Sequence, residues 1–464
     1  MNERRTVWDF EQGLQTWRAA TGHCREVAVV ANPSYVASPY ELYPLANRNP
    51  GPFDAVAGIV MDMDGTTTTT EPLCLHSLEW MVRMITERPD PQSWTGFDHE
   101  KDHPHIIGNS TTRHVEYLLK AYGPFVRPAA FRRAFVKAVL WTLAHSRDEG
   151  RIREVLADAA ALGLADMLRD TRFQALVRDR VQPFEADDPR ACSVVEPYAD
   201  AAGFSSFADQ VRAAVDIYYV RYHTILAAIR DGRAHDPAVG LGAQAGAPLV
   251  APMPGVGVFL ATVKGWLGER AELFHDRLAA HVREKTGLAP VNPTGTLRAV
   301  GRWFAAHPAR IAIVTSSIAY EADIVLAEVF RELREEVETW PLAAGERDRI
   351  SEGFADPRAF YDAFVTASDS SEIRLKPHRD LYSIALFRMG VRRHEYERVV
   401  GFEDSESGVI AIRAAGIGCS VALPFAQSAG HNFDAATHVL SGQLPEVLLN
   451  RRVFLSSAAL SPWT

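Results

Sequence analysis

The sequence predicts an α/β fold, a doubly wound parallel sheet with a large all-helical insertion after its first strand. Three observations predict it. Phe53–Met61 reads FDAVAGIVM and runs into DMDG, a short apolar run closed by acid and glycine, as expected of a strand buried on both faces. From Pro72 to about Asn292 apolar residues recur at helical spacing and strand signals are scarce. From Thr294 helix and strand alternate, the βαβ rhythm of a parallel sheet with right-handed crossovers.

Residues 1–50 carry Trp8, Phe10, Trp17, Tyr35, Tyr40 and Tyr43, an aromatic content that disordered tails lack, so they are expected to pack on the core. After the first strand, Thr66–Thr70 form a polar loop. The insertion holds HSLEWMVRMIT, TRHVEYLLKAY, FRRAFVKAVLWTLAH, DQVRAAVDIYYVRYHTILAAI and ERAELFHDRLAAHVREK, each amphipathic at the helical period. The uncharged stretch Pro237–Val263 is broken by Pro248, Pro252 and Pro254. It reads as loop and short elements packed on protein, not as a membrane-spanning helix. Beyond it TLRAVGRWFAAH is a helix and RIAIVTSS a strand. AYEADIVLAEVFREL is a helix, AFVTASD a strand and HRDLYSIALFRMG a helix. RVVGFEDS is a strand, GVIAIRAAG a helix, SVALPF a strand and ATHVLSGQ a last short strand. The expected organisation is an extension (1–50), a sheet core (51–71 with 293–445), a helical cap (72–292) and a tail (446–464).

Composition bounds the function. The 464 residues carry 49 Lys+Arg against 58 Asp+Glu, a net charge of −9, and 47% are apolar. That is the mixture of a soluble globular protein of two or three domains. It excludes wholesale disorder, a collagen-like repeat and a disulfide scaffold. A pI near 6.0 argues against a non-specific nucleic-acid binder, and no membrane association is expected. Cys24, Cys74, Cys192 and Cys419 form no CxxC pair, so reduced thiols in the cytoplasm are expected. MNERRTVWDFEQ lacks the apolar stretch of a secretory leader.

Four polar pieces fall at predicted strand ends, where open α/β sheets bind ligands: Asp62-Met63-Asp64-Gly65-Thr66, Thr315-Ser316-Ser317, Lys376-Pro377 and Glu403-Asp404-Ser405. Carboxylates as close as Asp62 and Asp64 repel unless a cation or proton intervenes, and Mg²⁺ suits such oxygen ligands. Asp404 could complete that site. A carboxylate can attack phosphorus, and its neighbour can serve as acid and then base. Thr315 and the following amides could hold phosphoryl oxygens, and Lys376 could neutralise the nucleophile and phosphate.

These pieces, in this order, resemble the haloacid dehalogenase superfamily, in the branch of beta-phosphoglucomutase-like and phosphoglycolate-phosphatase-like hydrolases. DMDGTTTTTE resembles that branch's first motif DxDGTLxDSE, IAIVTSS the second, and RLKPHRDLY the KPxPDxY form of the third. VVGFEDSESGVIAIRAAGIG closely resembles the fourth, FEDSxxGxxAAxAAG. The resemblance spans about 51–71 and 293–445, with the helical block where a C1-type cap belongs, and implies a Rossmann-like core. It implies Asp62 as nucleophile and metal ligand. Asp64 would be general acid/base, its carbonyl on the metal. Asp404 would be the other carboxylate ligand, with Glu403 touching a metal-bound water. It further implies Thr315 and Ser316 on the phosphoryl group, Lys376 bracing it, and Gly65 and Thr66 shaping the surrounding loop. HIIGNSTTRHVEYLL resembles the branch's cap loop. There Ser110 would cap a helix, and Arg113 or the amides near Asn109 would meet an anionic substrate group.

The chain departs from the pattern at Thr67, Thr69 and Thr70, which replace the usual Leu and DS pair, and in a cap about three times the usual size. The implied activity is Mg²⁺-dependent hydrolysis of a small phosphorylated metabolite, with cap motion opening and shutting the site. A phosphomutase, C–Cl or C–P cleavage, and a non-catalytic binding protein are the alternatives; no protein partner is indicated. Asp98–His105 is rich in potential ligands but lacks HExxH spacing and reads as a polar loop. His76, His114 and His223 read as ordinary surface or core histidines, and Trp80, Trp141 and Tyr218-Tyr219 as cap core.

Overall fold

A computed structural model describes residues 9–32, 36–88, 92–98, 100–106, 111–184, 189–234, 249–288, 295–425, 428, 430–450 and 454–461. Two strands, β1 (Glu26–Ala31) and β2 (Tyr40–Leu45), form a small antiparallel sheet. Six more form the core sheet: β3 (Gly58–Asp62), β4 (Ile311–Val314), β5 (Ala363–Val365), β6 (Val399–Glu403), β7 (Cys419–Ala422) and β8 (His438–Val439). Their order is β5-β4-β3-β6-β7-β8, and every pairing is parallel. The chain runs outward from β3 through β4 to β5, then returns to β6 on the other side of β3. That reversal at β3 opens a crevice at the carboxyl ends. The α/β expectation and all six core strands are met. Each residue of β3, β4, β6 and β7 is buried, which is why these strands read as continuous apolar runs rather than alternating ones.

The cap is helical among the described residues. Its longest element, Phe207–Arg230, starts in a reciprocal capping box: Ser206 Oγ accepts from Asp209 N at 3.1 Å, and Asp209 Oδ2 accepts from Ser206 N at 2.8 Å. This helix packs against Glu71–Thr86, Thr111–Tyr122 and Pro128–His145 within the cap, and against the core helix Ala319–Glu338. None of the described helices is long and apolar enough to cross a membrane.

The expected cap boundary at 292 differs from these contacts. All eight residues of the helix Val256–Val263 are buried, and Phe259 meets Phe402 of β6 edge-on at 5.4 Å. The helix His275–Thr286 packs on Gln443–Leu449. Residues 256–286 therefore lie with the core, because their apolar side chains cover the sheet rather than the cap interior. The described part of the uncharged stretch, 249–263, is packed protein, as its lack of charge requires. The expected tail is also more integrated. Phe53 N donates to Phe454 O at 2.8 Å, Ser456 N donates to Phe53 O at 2.8 Å, and Phe454 is fully buried.

The chain leaves the core through the threonine loop and returns beside it. Thr69 N donates to Ala251 O (2.9 Å), Ala251 N to Thr69 Oγ1 (3.0 Å) and Met253 N to Thr67 O (3.0 Å).

The described part of the extension is the helix Phe10–Thr21, which buries no residue, followed by the β1–β2 sheet, which meets the core. Val30, Tyr43 and Leu45 cluster with Ala414. Arg413, with no exposed surface, donates to Ala46 O, Ala435 O (3.1 Å) and Glu26 Oε2 (2.7 Å). Hydrogen bonds from Arg48 and Arg413 hold the Glu26 carboxyl down at about 2. Tyr43 Oη pairs with His378 Nδ1 at 2.8 Å, two residues after Lys376.

Candidate active site

The site is built at the carboxyl ends of β3, β4 and β6. Asp62 ends β3 and is 3% exposed. The next turn needs a glycine: Gly65 has φ +82°, and a Cβ there would sit 2.6 Å from Asp404 Oδ2 and 2.7 Å from the Phe425 ring. Thr67 Oγ1 donates to Asp62 O (2.7 Å), and Thr67 N and Thr68 N donate to Met63 O (2.9 Å each), so the threonine run is an ordered loop. Thr66 is buried there with its hydroxyl unpartnered.

Asp64 is held at both carboxylate oxygens. Oδ1 accepts from Thr70 Oγ1, and Oδ2 accepts from Thr315 Oγ1 (2.9 Å) and Ser317 Oγ (3.2 Å). The Thr315 hydroxyl, expected on a phosphoryl oxygen, is thus spent on Asp64, and it also accepts from Ser317 N at 2.9 Å. Ser316 lines the cavity directly. Thr70 is a site residue that sequence reasoning missed, as is the bond from the Ser317 hydroxyl to Asp64. Thr70 stands at a position where the motif pattern is broken, and that break was the available signal.

Lys376 Nζ, deep in the crevice, donates to Asp62 Oδ1 and to Glu403 Oε1 (2.7 Å). Burial alone would lower its pKa, but Asp62 and Glu403 overcome that and hold it well above the ordinary lysine range. Glu403 accepts five hydrogen bonds. Lys376 and Tyr382 Oη (3.2 Å) share Oε1; Asp404 N (3.0 Å), Ser405 N (2.9 Å) and Ser405 Oγ (2.8 Å) share Oε2. Its carboxylate therefore organises the loop that carries Asp404 rather than reaching out to water. Burial, then the Glu403 charge, pushes the Asp62 carboxyl well up against the opposing pull of Lys376. Burial, Glu403 and Glu71 do the same to Asp404.

A cavity of about 120 Å³ sits over these groups. Its described lining has six carboxylates (Asp62, Asp64, Glu71, Glu321, Glu403, Asp404) and a single lysine, Lys376. Such a crowd of carboxyl groups at low dielectric calls for cations or protons. The donor set fits Mg²⁺. Oxygen atoms of Asp62, Glu403 and Asp404 lie within 4.8 Å of one another, and Asp404 Oδ2 is buried with no partner among the described residues. With Glu403 saturated, Asp62 and Asp404 are the side chains that remain to hold the ion.

The cap closes the cavity with Cys74, Ile106, Thr111, His114 and the tyrosines 218, 219 and 222. Tyr218 and His114, read from sequence as core or ordinary surface, are buried and also face the site. The i, i+1, i+4 spacing of the tyrosines was the signal for one helix face. Glu71 begins the helix Glu71–Thr86 with Oε2 unpartnered, and burial first, then Asp64, raises its carboxyl well above the usual range. Glu321, 3.4 Å from His223, is pushed up to about 8 by burial and by Asp64, while burial lowers His223 to about 4. Near neutral pH the two therefore share a hydrogen bond between uncharged groups.

Arg113 is a correction. Its guanidinium donates to Ala31 O of β1 and does not line the cavity, because the extension offers an acceptor on its side of the helix. Asn109 and Ser110 lie outside the described residues. The ligand-rich 98–105 segment is structural where described: buried Asp102 accepts from Tyr117 Oη (2.8 Å), Tyr122 Oη (2.7 Å) and Asp98 N (2.8 Å).

No family model matches the chain, and no curated protein matches it. Solved structures do. CbbY from Rhodobacter sphaeroides, in complex with phosphate, is 13% identical over 83% of this chain and 93% of its own, with a TM-score of 0.35. A candidate beta-phosphoglucomutase from Thermotoga maritima is 15% identical over 85% and 97%, TM-score 0.27. A candidate phosphoglycolate phosphatase from Lactobacillus delbrueckii subsp. bulgaricus is 14% identical over 85% and 99%, TM-score 0.30.

Proposed function

We propose that the chain is a Mg²⁺-dependent phosphohydrolase of a small phosphorylated metabolite, working through an aspartyl-phosphate on Asp62. The observation that carries this reading is the Asp62–Lys376 pair at the floor of the cavity, beside Asp404 Oδ2, which has no partner among the described residues. The four-motif resemblance supports it.

Asp62 and Asp404 would hold Mg²⁺, which would supply charge neutralisation for a phosphoryl group beside a carboxylate nucleophile. Asp62 attacks phosphorus, and the bond from phosphorus to the leaving oxygen breaks. Asp64 delivers a proton to that oxygen, so the product leaves as an alcohol. Thr70, Thr315 and Ser317 fix the Asp64 carboxylate for this transfer. Lys376 offsets negative charge on Asp62 and on the transferred group. Asp64 then removes a proton from water as the water attacks the phosphoryl group, and the Asp62–phosphorus bond breaks. The tyrosine-lined cap keeps bulk water out during the first step.

The test is phosphate release from phosphorylated sugars, nucleotides and glycolate, with Mg²⁺ and with EDTA. Release should need the metal and fall by about three orders of magnitude or more in Asp62→Asn, the scale seen when a nucleophile is removed. Full turnover by a folded Asp62→Asn enzyme would overturn the mechanism. An isomer formed in place of free phosphate would identify a mutase instead.

A further inference from the structure

The long cap helix Phe207–Arg230 serves two cavities. Its tyrosines face the site above, while Arg221, Thr224, Ala227 and Ala228 face a second cavity of about 350 Å³. Five arginines line it: Arg147, Arg180, Arg221, Arg230 and Arg233. They come from separate stretches of chain, beyond the ends of the helices Pro128–His145 and Thr171–Arg178 and along and after the long helix. Asp231 is the one carboxylate among the described lining residues, and it lies 3.4 Å from Arg230 Nε. The convergence is not a spill-over of general basicity, since the chain carries −9 overall.

Basic residues at helix C-termini commonly answer the helix dipole, and three such ends meet here. Each end supplies about half a negative charge, so three ends and Asp231 offset roughly half of the five guanidinium charges. Among the described lining residues the balance of charge stays positive. Arginine is also the side chain whose planar fork matches phosphate oxygens two at a time. Among the described residues, no ion pair engages Arg147 or Arg180, and both are exposed at the rim.

The cavity is joined to the catalytic site by short contacts. Arg230 Nη1 donates to Tyr320 Oη at 3.0 Å, and Tyr320 precedes Glu321, a lining residue of the catalytic cavity. His223 lines the basic cavity and touches Glu321 from the other side.

We propose that this basic cavity is a second binding site, for a phosphate-type anion. The anion arrives either as a free ion or as the distal phosphate of a bisphosphate substrate. The test is titration calorimetry of the full chain with pyrophosphate at low salt, on the wild type and on Arg147→Ala/Arg180→Ala. Both side chains are exposed, so the variant should fold. Affinity should fall at least about tenfold in the variant, recover in part in Arg147→Lys/Arg180→Lys, and fall with added salt. Equal affinity in wild type and alanine variant, or no binding to the wild type at millimolar pyrophosphate, would overturn the proposal. Kinetics then separate the sources. A KM rise in the alanine variant confined to bisphosphate esters assigns the site to substrate. A pyrophosphate effect on kcat that the alanine variant loses assigns it to a free anion. The kinetic arm rests on the phosphohydrolase reading; the binding arm does not.

Discussion

Gly408 offers a way to disturb the site without touching a reacting group. It is the third residue of the helix Glu406–Ala414, where Ser405 Oγ accepts from its N–H at 3.2 Å. A Cβ there would sit 2.5 Å from Glu403 Oε2 and nearer still to Oε1. Glu403 is fully buried in its strand, so Gly408→Ala must push the carboxylate out of its socket. Five donors then lose their acceptor: Lys376, Tyr382, the amides of Asp404 and Ser405, and the Ser405 hydroxyl. Hydrogen bonds to charged groups are worth about 1.5–3 kcal/mol each, and if the carboxylate re-forms all but two, the net cost is about 3–6 kcal/mol. At roughly 2–4 °C per kcal/mol, the midpoint of thermal unfolding should drop by roughly 6–24 °C. Gly345→Ala is the control. It lies near the start of a helix with nothing within 4 Å of its Cβ, and should be neutral or stabilising by up to ~1 kcal/mol. Thermal denaturation followed by circular dichroism reads both, and phosphate release follows the site. A Gly408→Ala protein as stable as Gly345→Ala would refute the view that Glu403 is the keystone of the β6 loop.

Three further outcomes are expected. The Glu321 carboxyl, raised to about 8, keeps its proton in the fold while the unfolded chain has lost it above about 4.5. Below about pH 6.5 His223, lowered by burial from 6.5 to about 4, contributes the opposite slope, so stability should decline mainly as pH rises from about 6.5 to 8, by up to ~1.4 kcal/mol per pH unit, and Glu321→Gln should flatten that slope in urea melts at pH 6.5 and pH 8. An unchanged slope would show that Glu321 does not titrate there. Asp216, fully buried, pairs with Arg151, whose guanidinium lies 4.6 Å from the centre of the Tyr219 ring. Asp216→Asn should cost about 3–5 kcal/mol by stranding that charge, and Arg151→Met/Asp216→Leu should recover much of it; equal melting of the two variants would contradict this. Arg413→Ala should loosen the extension by about 2–3 kcal/mol, read as faster amide exchange confined largely to 26–45. Unchanged exchange in that segment would mean the β1–β2 sheet is held by its apolar contacts alone.

What was legible in the sequence is what is local. Asp62, Asp64 and Gly65 announce themselves because a strand buried on both faces must end in a polar turn, and both signals lie within eight residues. Asp404 could be read the same way, at the exit of β6, whereas Lys376 lies well beyond the end of β5 and was marked only by its likeness to the third motif. The cap wall was illegible for the opposite reason. Tyr218, Tyr219 and Tyr222 on a helix buried on several sides have the same pattern whether they face a core or a cavity. Arg113 misled because a helix residue can turn to either neighbour, and its acceptor, Ala31 O, lies 82 residues away in chain. The β1–β2 sheet gave little sign of itself. Its outward face carries Val27, Val29, Tyr40 and Leu42, all exposed, so the polar-out alternation that marks a surface strand is missing. The anchors that hold it, Arg413 and His378, stand more than 300 residues downstream.

The paired crossings at 67–69 and 251–253 bear on how such a cap could grow. The outgoing and incoming segments are laced together, so the chain enters and leaves the cap through one stalk of two adjoining segments, beside the packing of Phe207–Arg230 on Ala319–Glu338. Helices can be added beyond that stalk with no new demand on the sheet, in the way a branch lengthens without altering its graft. The same adjacency makes the cap a removable module. A short linker from Thr70 to Val250 should close the core with little stretch, and a smaller helical lid could be spliced between the same two points.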